Sequence, residues 1–338
     1  MPREHGSEHY DSPRKRYRSL ELCAGAGGLA LGLEQAGFDP VLLLDNVDVP
    51  CRTLNLNRPQ WDVQQMDLME FDPAEDDERF YDVDLLSAGL PRVQASATNN
   101  RSRGSDVELE LLRAAVWLVP GIQPRALLIE NVPDLVTKDK YARDREFAEK
   151  ELEHLGYDVR WFVVNASDYG VSQVRKHGIM VAFKGGAGDA FRMPQVQSPP
   201  PPVGVVLRDS MASRGWSQAD EWTCQADQLA PTLVGGSWER GGADLGPTGS
   251  KRLWAKMGVN GGTVADLPPD PDFHWAPEAG AAGMVRLTVP QVALLQGFPS
   301  DWQLSGRKTN QYRQVGNATP PPVGRALGQA IRGVLEGS

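Results

Sequence analysis

The sequence predicts an α/β fold: a doubly wound, mostly parallel sheet with a small loop-rich unit joined to it. Three observations carry this expectation. Residues 20–37 read LELCAGAGGLALGLEQAG, an apolar strand-like start, a Gly-rich turn and apolar residues at helical spacing. Residues 18–185 go on alternating strand-like and helix-like segments, and the strands are apolar enough to be covered on both faces. At about residue 186 the composition changes to GGAGDAFRMPQVQSPPPPVGV, a Pro/Gly-rich stretch that interrupts the alternation.

Taken in order, SLEL is a strand and LALGLEQAG a helix that stops at Gly37. Between them, Gly25, Gly27 and Gly28 let the backbone approach a ligand closely, with a helix N-terminus facing the same place. PVLLLDNV is a strand ending at Asp45, VPCRTLNLN a helix, and VDLLSAG a buried strand that runs into a loop. VELELLRAAVWLV is a helix, RALLIENV a strand, and REFAEKELEHLGY a helix closed by Gly156. DVRWFVVNA and HGIMVAFKG supply later strands. Asp45, Asp67, Glu130 and Asn131 therefore fall just past strand ends, the edge where open α/β sheets bind ligands. Residues 203–282 are rich in Gly, Pro and Trp with little helical period. The helical pattern returns with LTVPQVALLQGFP and with PPPVGRALGQAIRGVLEG after a proline start. The expected division is a flexible tail over 1–17, a cofactor domain over 18–185, a recognition-like unit over 186–282, and a return to the large domain over 283–338.

The chain has 338 residues, 41% hydrophobic and 23% charged, enough for a large packed core. Its net charge of −9 argues against coating nucleic acid non-specifically, although a local basic groove is compatible with it. Cys23, Cys51 and Cys224 have neither metal nor disulfide spacing, so no metal is expected and a reducing cytoplasm suits the chain. No apolar run reaches membrane-span length, and the polar N-terminus has no signal-peptide core. The PRKRYR run reads as a solvated lead-in rather than a DNA arm.

The ordered motifs resemble the DNA cytosine-5 methyltransferases, S-adenosylmethionine-dependent enzymes that flip a cytosine out of duplex DNA. The resemblance spans about residues 18–335. LELCAGAGG is similar to the family's cofactor loop, and Glu130-Asn131-Val132 to its base-contacting motif. Gln173-Val174-Arg175-Lys176-His177 resembles the Gln-x-Arg-x-Arg motif with His177 in place of the second Arg. RLTVPQVALLQGFPSDW resembles the helix behind the recognition domain, and YRQVGNATPPPV the closing motif. The resemblance implies a Rossmann-like class I methyltransferase fold with a target-recognition domain, double-stranded DNA as partner, and a restriction–modification setting, in the nucleoid if bacterial. It also implies roles. The backbone of Ala24, Gly25, Ala26, Gly27 and Gly28 meets the methionine end of the cofactor. Asp45 takes the ribose hydroxyls, Asn46 and Val47 border the adenine, Asp67 accepts from the adenine amine beside Leu68, and Asn317 closes the pocket. Taken singly, Asp45 or Asp67 is more often a surface or capping carboxylate.

Glu130, Asn131 and Arg175 are the base-pocket candidates, with Gln173 and Pro91 beside them. Glu130 follows an apolar strand and so needs a partner; a structural ion pair with Arg175 is the alternative reading. Arg101 and Arg103, on the loop after Pro91, either neutralise phosphates or belong to a solvated loop. In the recognition-like unit Arg240, Lys251 and Arg252 stand on a Gly-rich stretch able to follow a groove, and an ordinary loop-rich subdomain has the same composition.

One motif departs from the family. After VDLLSAG the family carries Pro-Cys, and that cysteine is the nucleophile. Here the residues are Leu90-Pro91-Arg92, and Ala95 stands where an aromatic is usual. The family's thiolate adds to C6 of the cytosine and pushes electron density to C5, splitting one hard step into easier ones. Arginine stays protonated and offers no lone pair for that addition. Arg92 instead fills the pocket, pairs with Glu130 or grips a phosphate. Three readings follow: a cofactor- and DNA-binding relative that has lost C5 chemistry, acting alone or with a partner subunit; an enzyme with changed chemistry such as transfer to cytosine N4; or a cytosine-5 enzyme altered at one residue. The altered neighbours speak against the last, and the absence of an Asp-Pro-Pro-Tyr-like motif against the second.

Overall fold

The computed structural model describes residues 16–73, 77–93, 105–193, 195, 199–236 and 242–337, with residues 105–107 described in their backbone only. At its centre is a seven-stranded sheet in the order β3-β2-β1-β4-β5-β7-β6. The strands are β1 (Tyr17–Leu22), β2 (Phe38–Asp45), β3 (Val63–Gln65), β4 (Leu85–Gly89), β5 (Ala126–Asn131), β6 (Tyr157–Asn165) and β7 (Lys176–Lys184). Pairings among β1 to β5 are parallel, whereas β7 runs antiparallel to both β5 and β6. The chain leaves β1 toward β2 and β3, then returns to the other side with β4 and β5. The carboxyl ends of β1 and β4 thus border a crevice at the switch point, where this class of sheet takes its ligands.

Helices cover both faces. Helix α1 (Gly28–Ala36) follows β1, α2 (Asp48–Asn57) follows β2, and α3 (Ser105–Trp117) with α4 (Val119–Ile122) precedes β5. Helices α5 (Pro133–Thr137) and α6 (Ala142–His154) lead into β6. At the far end of the chain, α10 (Val289–Leu295), α11 (Lys308–Asn317) and α12 (Pro321–Gly337) return to the sheet. Leu29 and Leu33 of α1 share one buried cluster with Val323, Leu327 and Ile331 of α12. Each such side chain taken out of water stabilises the fold by roughly 2 kcal/mol. The approach at the start of α1 is closer still. A Cβ at Gly28 would lie 2.1 Å from the carbonyl oxygen of Thr319, so only glycine fits.

The segment after residue 186 is largely loop, with short helices that its composition does not announce. It carries α7 (Val203–Ala212), α8 (Ala219–Gln225) and α9 (Thr248–Lys256). These helices span only two or three turns, too short for a helical period to stand out against the surrounding Gly and Pro. Trp222 on α8 and Trp254 on α9 are buried, as is Trp216 between α7 and α8, and the Trp222 indole donates to the Met257 carbonyl at 3.0 Å. Their cluster is continuous with Leu31, Leu43 and Leu54 of the large unit, so the core runs across the segment rather than enclosing it separately. Among the described residues no helix is long and apolar enough to cross a membrane, and no group of side chains is arranged to hold a metal.

Candidate functional site

A cavity of about 700 Å³ opens at the switch point. Its first wall is the loop between β1 and α1. Gly25 (φ 55°) and Gly27 (φ 83°) take left-handed backbone there, and the Trp302 indole donates to the Ala26 carbonyl at 3.2 Å, tying the loop to the C-terminal part of the chain. Asp45 ends β2. One of its oxygens accepts from the Gly25 amide at 2.8 Å and the other from the Val47 amide at 2.9 Å. Burial raises its pKa against the lowering effect of these two amides. Each carboxylate oxygen retains acceptor capacity beyond the amide it receives. Asp67 accepts from the Met69 amide at 3.0 Å and so caps the short turn Leu68–Glu70. Ala24, Gly25, Ala26 and Gly28 line the cavity together with Asp45, Asn46, Val47, Asp67, Leu68 and Asn317. Gly27 does not; its α-carbon faces Leu54 and Trp302. The Asn317 side-chain amide donates to the Gly236 carbonyl at 3.1 Å, fastening the recognition segment over this end of the cavity.

The second wall holds Glu130, at the end of β5 and 5% exposed. Its Oε1 lies 2.6 Å from His177 Nδ1 and its Oε2 accepts from the Thr319 hydroxyl at 3.0 Å. Its side-chain partners are thus His177 and Thr319 rather than Arg175. Antiparallel β7 begins at Lys176, next to the end of β5, which brings His177 alongside Glu130. Arg175 precedes that strand and turns elsewhere: it donates to the carbonyls of Leu233 (3.3 Å), Gly316 (2.9 Å) and Asn317 (3.4 Å). Gln173 is fully buried. It accepts from the Leu233 amide and donates to Gln296, both at 2.7 Å, joining the recognition segment to α10. Neither Arg175 nor Gln173 lines the cavity.

Asn131 braces the loop after β4. Its Nδ2 donates to the Pro91 carbonyl at 3.1 Å, and its Oδ1 accepts from the Val93 amide at 3.2 Å. Pro91 and Arg92 line the same cavity as Glu130 and the Gly-rich loop. Desolvation lowers the Arg92 pKa, opposed by the nearby Glu130 charge. Of the thiols, Cys23 lines the cavity, but burial beside Asp45 and Asp67 pushes its pKa up to about 12. Cys51 is pushed up to about 11 by the same cause, and exposed Cys224 stands on α8, away from the cavity. Lys251 pairs with Asp244 at 3.3 Å and Arg252 is exposed on α9. Arg101, Arg103 and Arg240, like Ala95 and residues 1–15 of the tail expected over 1–17, lie outside the described residues, whereas Tyr17 of that expected tail is buried at the start of β1.

Three contributors were not singled out in the sequence: Thr319 on Glu130, Trp302 on the Gly-rich loop, and Glu108, which lines the cavity. Thr319 and Trp302 fall inside quoted motifs, yet nothing in their spacing announces a contact so distant along the chain. The lining as a whole is acidic. Glu21, Asp45, Asp67, Glu108 and Glu130 face two basic groups, Arg92 and Arg313.

The comparisons agree with this architecture. The model of the C-5 cytosine-specific DNA methylase family matches residues 17–333. The chain is 40% identical over 322 residues to the Type II methyltransferase M.NaeI of Lentzea aerocolonigenes, covering 94% of this chain and 75% of that protein. It is 38% identical to the Type II methyltransferase M.NgoMIV of Neisseria gonorrhoeae, covering 94% of this chain and 97% of that one. A prophage-encoded DNA modification methyltransferase structure from E. coli superposes with a TM-score of 0.65 at 21% identity, covering 95% and 99% of the two chains. The Dnmt2 methyltransferase of S. pombe superposes with a TM-score of 0.61 at 18% identity, over 96% and 99%. With its methyltransferase fold, and with S-adenosylmethionine as the cofactor of its kind, the chain belongs to the C-5 cytosine-specific DNA methylase family.

Proposed function

We propose that the chain binds S-adenosylmethionine and duplex DNA, receives a flipped cytosine against Glu130, and is impaired in forming 5-methylcytosine because Arg92 stands where the family's nucleophile belongs. The observation that carries this reading is one cavity lined both by the Gly-rich loop with Asp45 and Asp67 and by Glu130 with Arg92.

The cavity fits the cofactor. A Cβ at Gly25 would meet nothing within 4 Å, so the loop leaves open room for a ligand against its backbone. Asp45 is able to accept both ribose hydroxyls while held by two amides, and Asp67 to accept from an amine. The acidic lining suits a ligand that carries positive charge. When bound, the cofactor supplies an electrophilic methyl group. Filling the open room is expected to block binding without breaking the fold. Gly25→Val should weaken cofactor binding at least ~10-fold, by calorimetry, while the strained left-handed backbone costs about 1–2 kcal/mol in denaturant unfolding. Unchanged affinity would place the cofactor elsewhere.

At the base end Glu130 is oriented by His177 and Thr319 and is able to accept from the exocyclic amine of cytosine. Addition at C6 needs a nucleophile with a free lone pair, and Arg92 has none. Cys23, the thiol lining this cavity, is held as its neutral form by its raised pKa. A second reading rests on Glu130 itself. Methyl transfer to N4 forms no adduct; it needs a held amine and an acceptor for the amine's proton, and Glu130 is such an acceptor.

Incubation with duplex DNA and isotope-labelled S-adenosylmethionine, followed by digestion and mass identification of nucleosides, separates these readings. No methylated nucleoside, with calorimetric cofactor binding retained, is the expected result. 5-Methylcytosine would overturn the impairment, and N4-methylcytosine would establish the second reading. Arg92→Cys is expected to restore little activity, because the neighbouring Ala95 also departs from the family pattern.

A further inference from the structure

We propose that Arg58 is a positioning residue for the cofactor site: it holds the Trp302 indole behind the Gly-rich loop, and through that indole the loop keeps the shape that receives the ligand. The inference rests on the reading of the cavity as the cofactor site. Neither Arg58 nor Trp302 lines that cavity, so both act from behind its wall.

The chain builds the arrangement from local parts. Arg58 caps the end of α2, its amide donating to the Leu54 carbonyl at 2.8 Å, and Pro59 stops the helix there. In the turn that follows, the Trp61 amide donates to the Arg58 carbonyl at 3.0 Å, which folds Trp61 back against the arginine. The guanidinium carbon lies 5.7 Å from the ring centre of Trp61 and 5.4 Å from that of Trp302. Both tryptophans are 7% exposed, and a planar cation is held over an aromatic face most firmly where water is excluded. Glu34 of α1 fixes the edge of the guanidinium, its two oxygens accepting from Nε and Nη2, each at 2.8 Å. The backbone after Trp302 is placed by α2 as well. Asn57 exchanges two hydrogen bonds with the Gln303 backbone, at 2.7 and 2.8 Å, and the Thr53 hydroxyl accepts from the Ser305 amide at 2.9 Å.

The indole meets the loop in two ways. Its N–H donates to the Ala26 carbonyl at 3.2 Å, and a Cβ placed on Gly27 would lie 3.1 Å from its ring. The Ala26–Gly27 peptide is therefore held at both ends, because its N–H donates to the Ala24 carbonyl at 3.0 Å. Ala26 lines the cavity, so the indole sets how far this wall stands forward. Phe298 supports the indole only obliquely, with ring centres 5.9 Å apart and planes 37° apart. Arg58 supplies the cover over the ring itself. A loop already held in its bound shape spares the ligand the cost of ordering it.

The test is titration calorimetry with S-adenosylmethionine on the full chain. Arg58→Met and Trp302→Phe are each expected to weaken binding about 5-fold, the scale of one desolvated cation–aromatic contact. The double variant should fall no more than about 2-fold below the poorer single variant, because both changes break one path. Arg58→Lys keeps a charge for Glu34 but cannot lie flat over the rings, and should stay weakened at least ~3-fold. Arg125→Met is the stability control. Arg125 pairs with Asp84 at 2.8 Å and donates to the Leu335 carbonyl at 2.9 Å at the amino end of β5, away from the cavity. Its loss should lower stability in denaturant without weakening binding. Fluorotryptophan labelling gives a second reading: the fluorine resonance that disappears in Trp302→Phe should move in Arg58→Met before any ligand is added. Wild-type affinity in Arg58→Met or Arg58→Lys overturns the inference alone. So do losses that multiply in the double variant, an equal loss in Arg125→Met, or a Trp302 resonance that Arg58→Met leaves in place. If wild type binds no S-adenosylmethionine, the cofactor reading falls and the inference with it.

Discussion

Arg175→Met is expected to lower the unfolding free energy by about 3 kcal/mol, roughly one for each carbonyl left without its donor. Arg175 is 2% exposed and spends its guanidinium on the carbonyls of Leu233, Gly316 and Asn317. Those carbonyls belong to two segments that must meet for the cavity to close, the stretch before Gly235 and the end of α11. Methionine fills much of the volume but donates nothing, so the carbonyls stay buried and unsatisfied. Arg175→Lys should fall between, because an ammonium on a flexible stem cannot hold the same three-way fork. Denaturant unfolding of the three proteins reads this directly. A methionine variant as stable as wild type would show that solvent or relaxation replaces the clamp. The same variants should weaken cofactor binding, because Asn317 lines the cavity.

Glu21→Gln is expected to change how stability depends on pH. Glu21 is 2% exposed near the end of β1, accepting from the Ser19 hydroxyl at 3.1 Å. Burial raises its pKa from 4.5 to about 7, and the hydroxyls of Ser19 and Ser87 only partly offset this. A carboxyl with a raised folded pKa keeps its proton in the native state after the unfolded chain has released it. Its contribution is fully present below pH 4.5 and is lost as pH rises through about 7. The size of that loss is roughly 3 kcal/mol, from the shift of about two and a half units. The gap in unfolding free energy between wild type and Glu21→Gln should therefore move by about that amount toward the variant from pH 5 to pH 8. Parallel traces would mean that Glu21 is not kept protonated by its burial.

Much of the sheet is legible in the sequence because its strands are apolar runs that end in polar residues or at glycine. β2 and β5 end in polar residues, which places Asp45 and Glu130 at one edge, while β1 and β4 are apolar runs that stop at a Gly-rich turn and at Gly89. The direction of β7 is not legible. HGIMVAFKG is apolar whichever way it runs, and its reversal is set by pairing with β5 and β6. The partner of Glu130 was hidden for the same reason. Arg175 and His177 are both cationic or titratable and stand two residues apart. Only the strand register puts His177 beside the carboxylate and leaves Arg175 to the carbonyls. The helices α7, α8 and α9 in the 186–282 segment were concealed by their brevity and by the Gly and Pro around them. What the sequence pattern could not carry was contact between remote segments, as with Thr319 on Glu130 and Trp302 on Ala26.

The closeness of Gly28 to Thr319 also bears on when the molecule becomes competent. The Gly-rich loop is synthesised well before Trp302, Asn317 and Thr319, with Trp302 standing 276 residues after Ala26. A nascent chain can pair β1, β2 and β4 before the last segments exist, but the far wall of the cavity is then missing. Ligand binding accordingly becomes available only after the segment carrying Asn317 and Thr319 has been made. A prematurely terminated product would carry the sheet without the ability to sequester cofactor, so timing is built into the order of the chain.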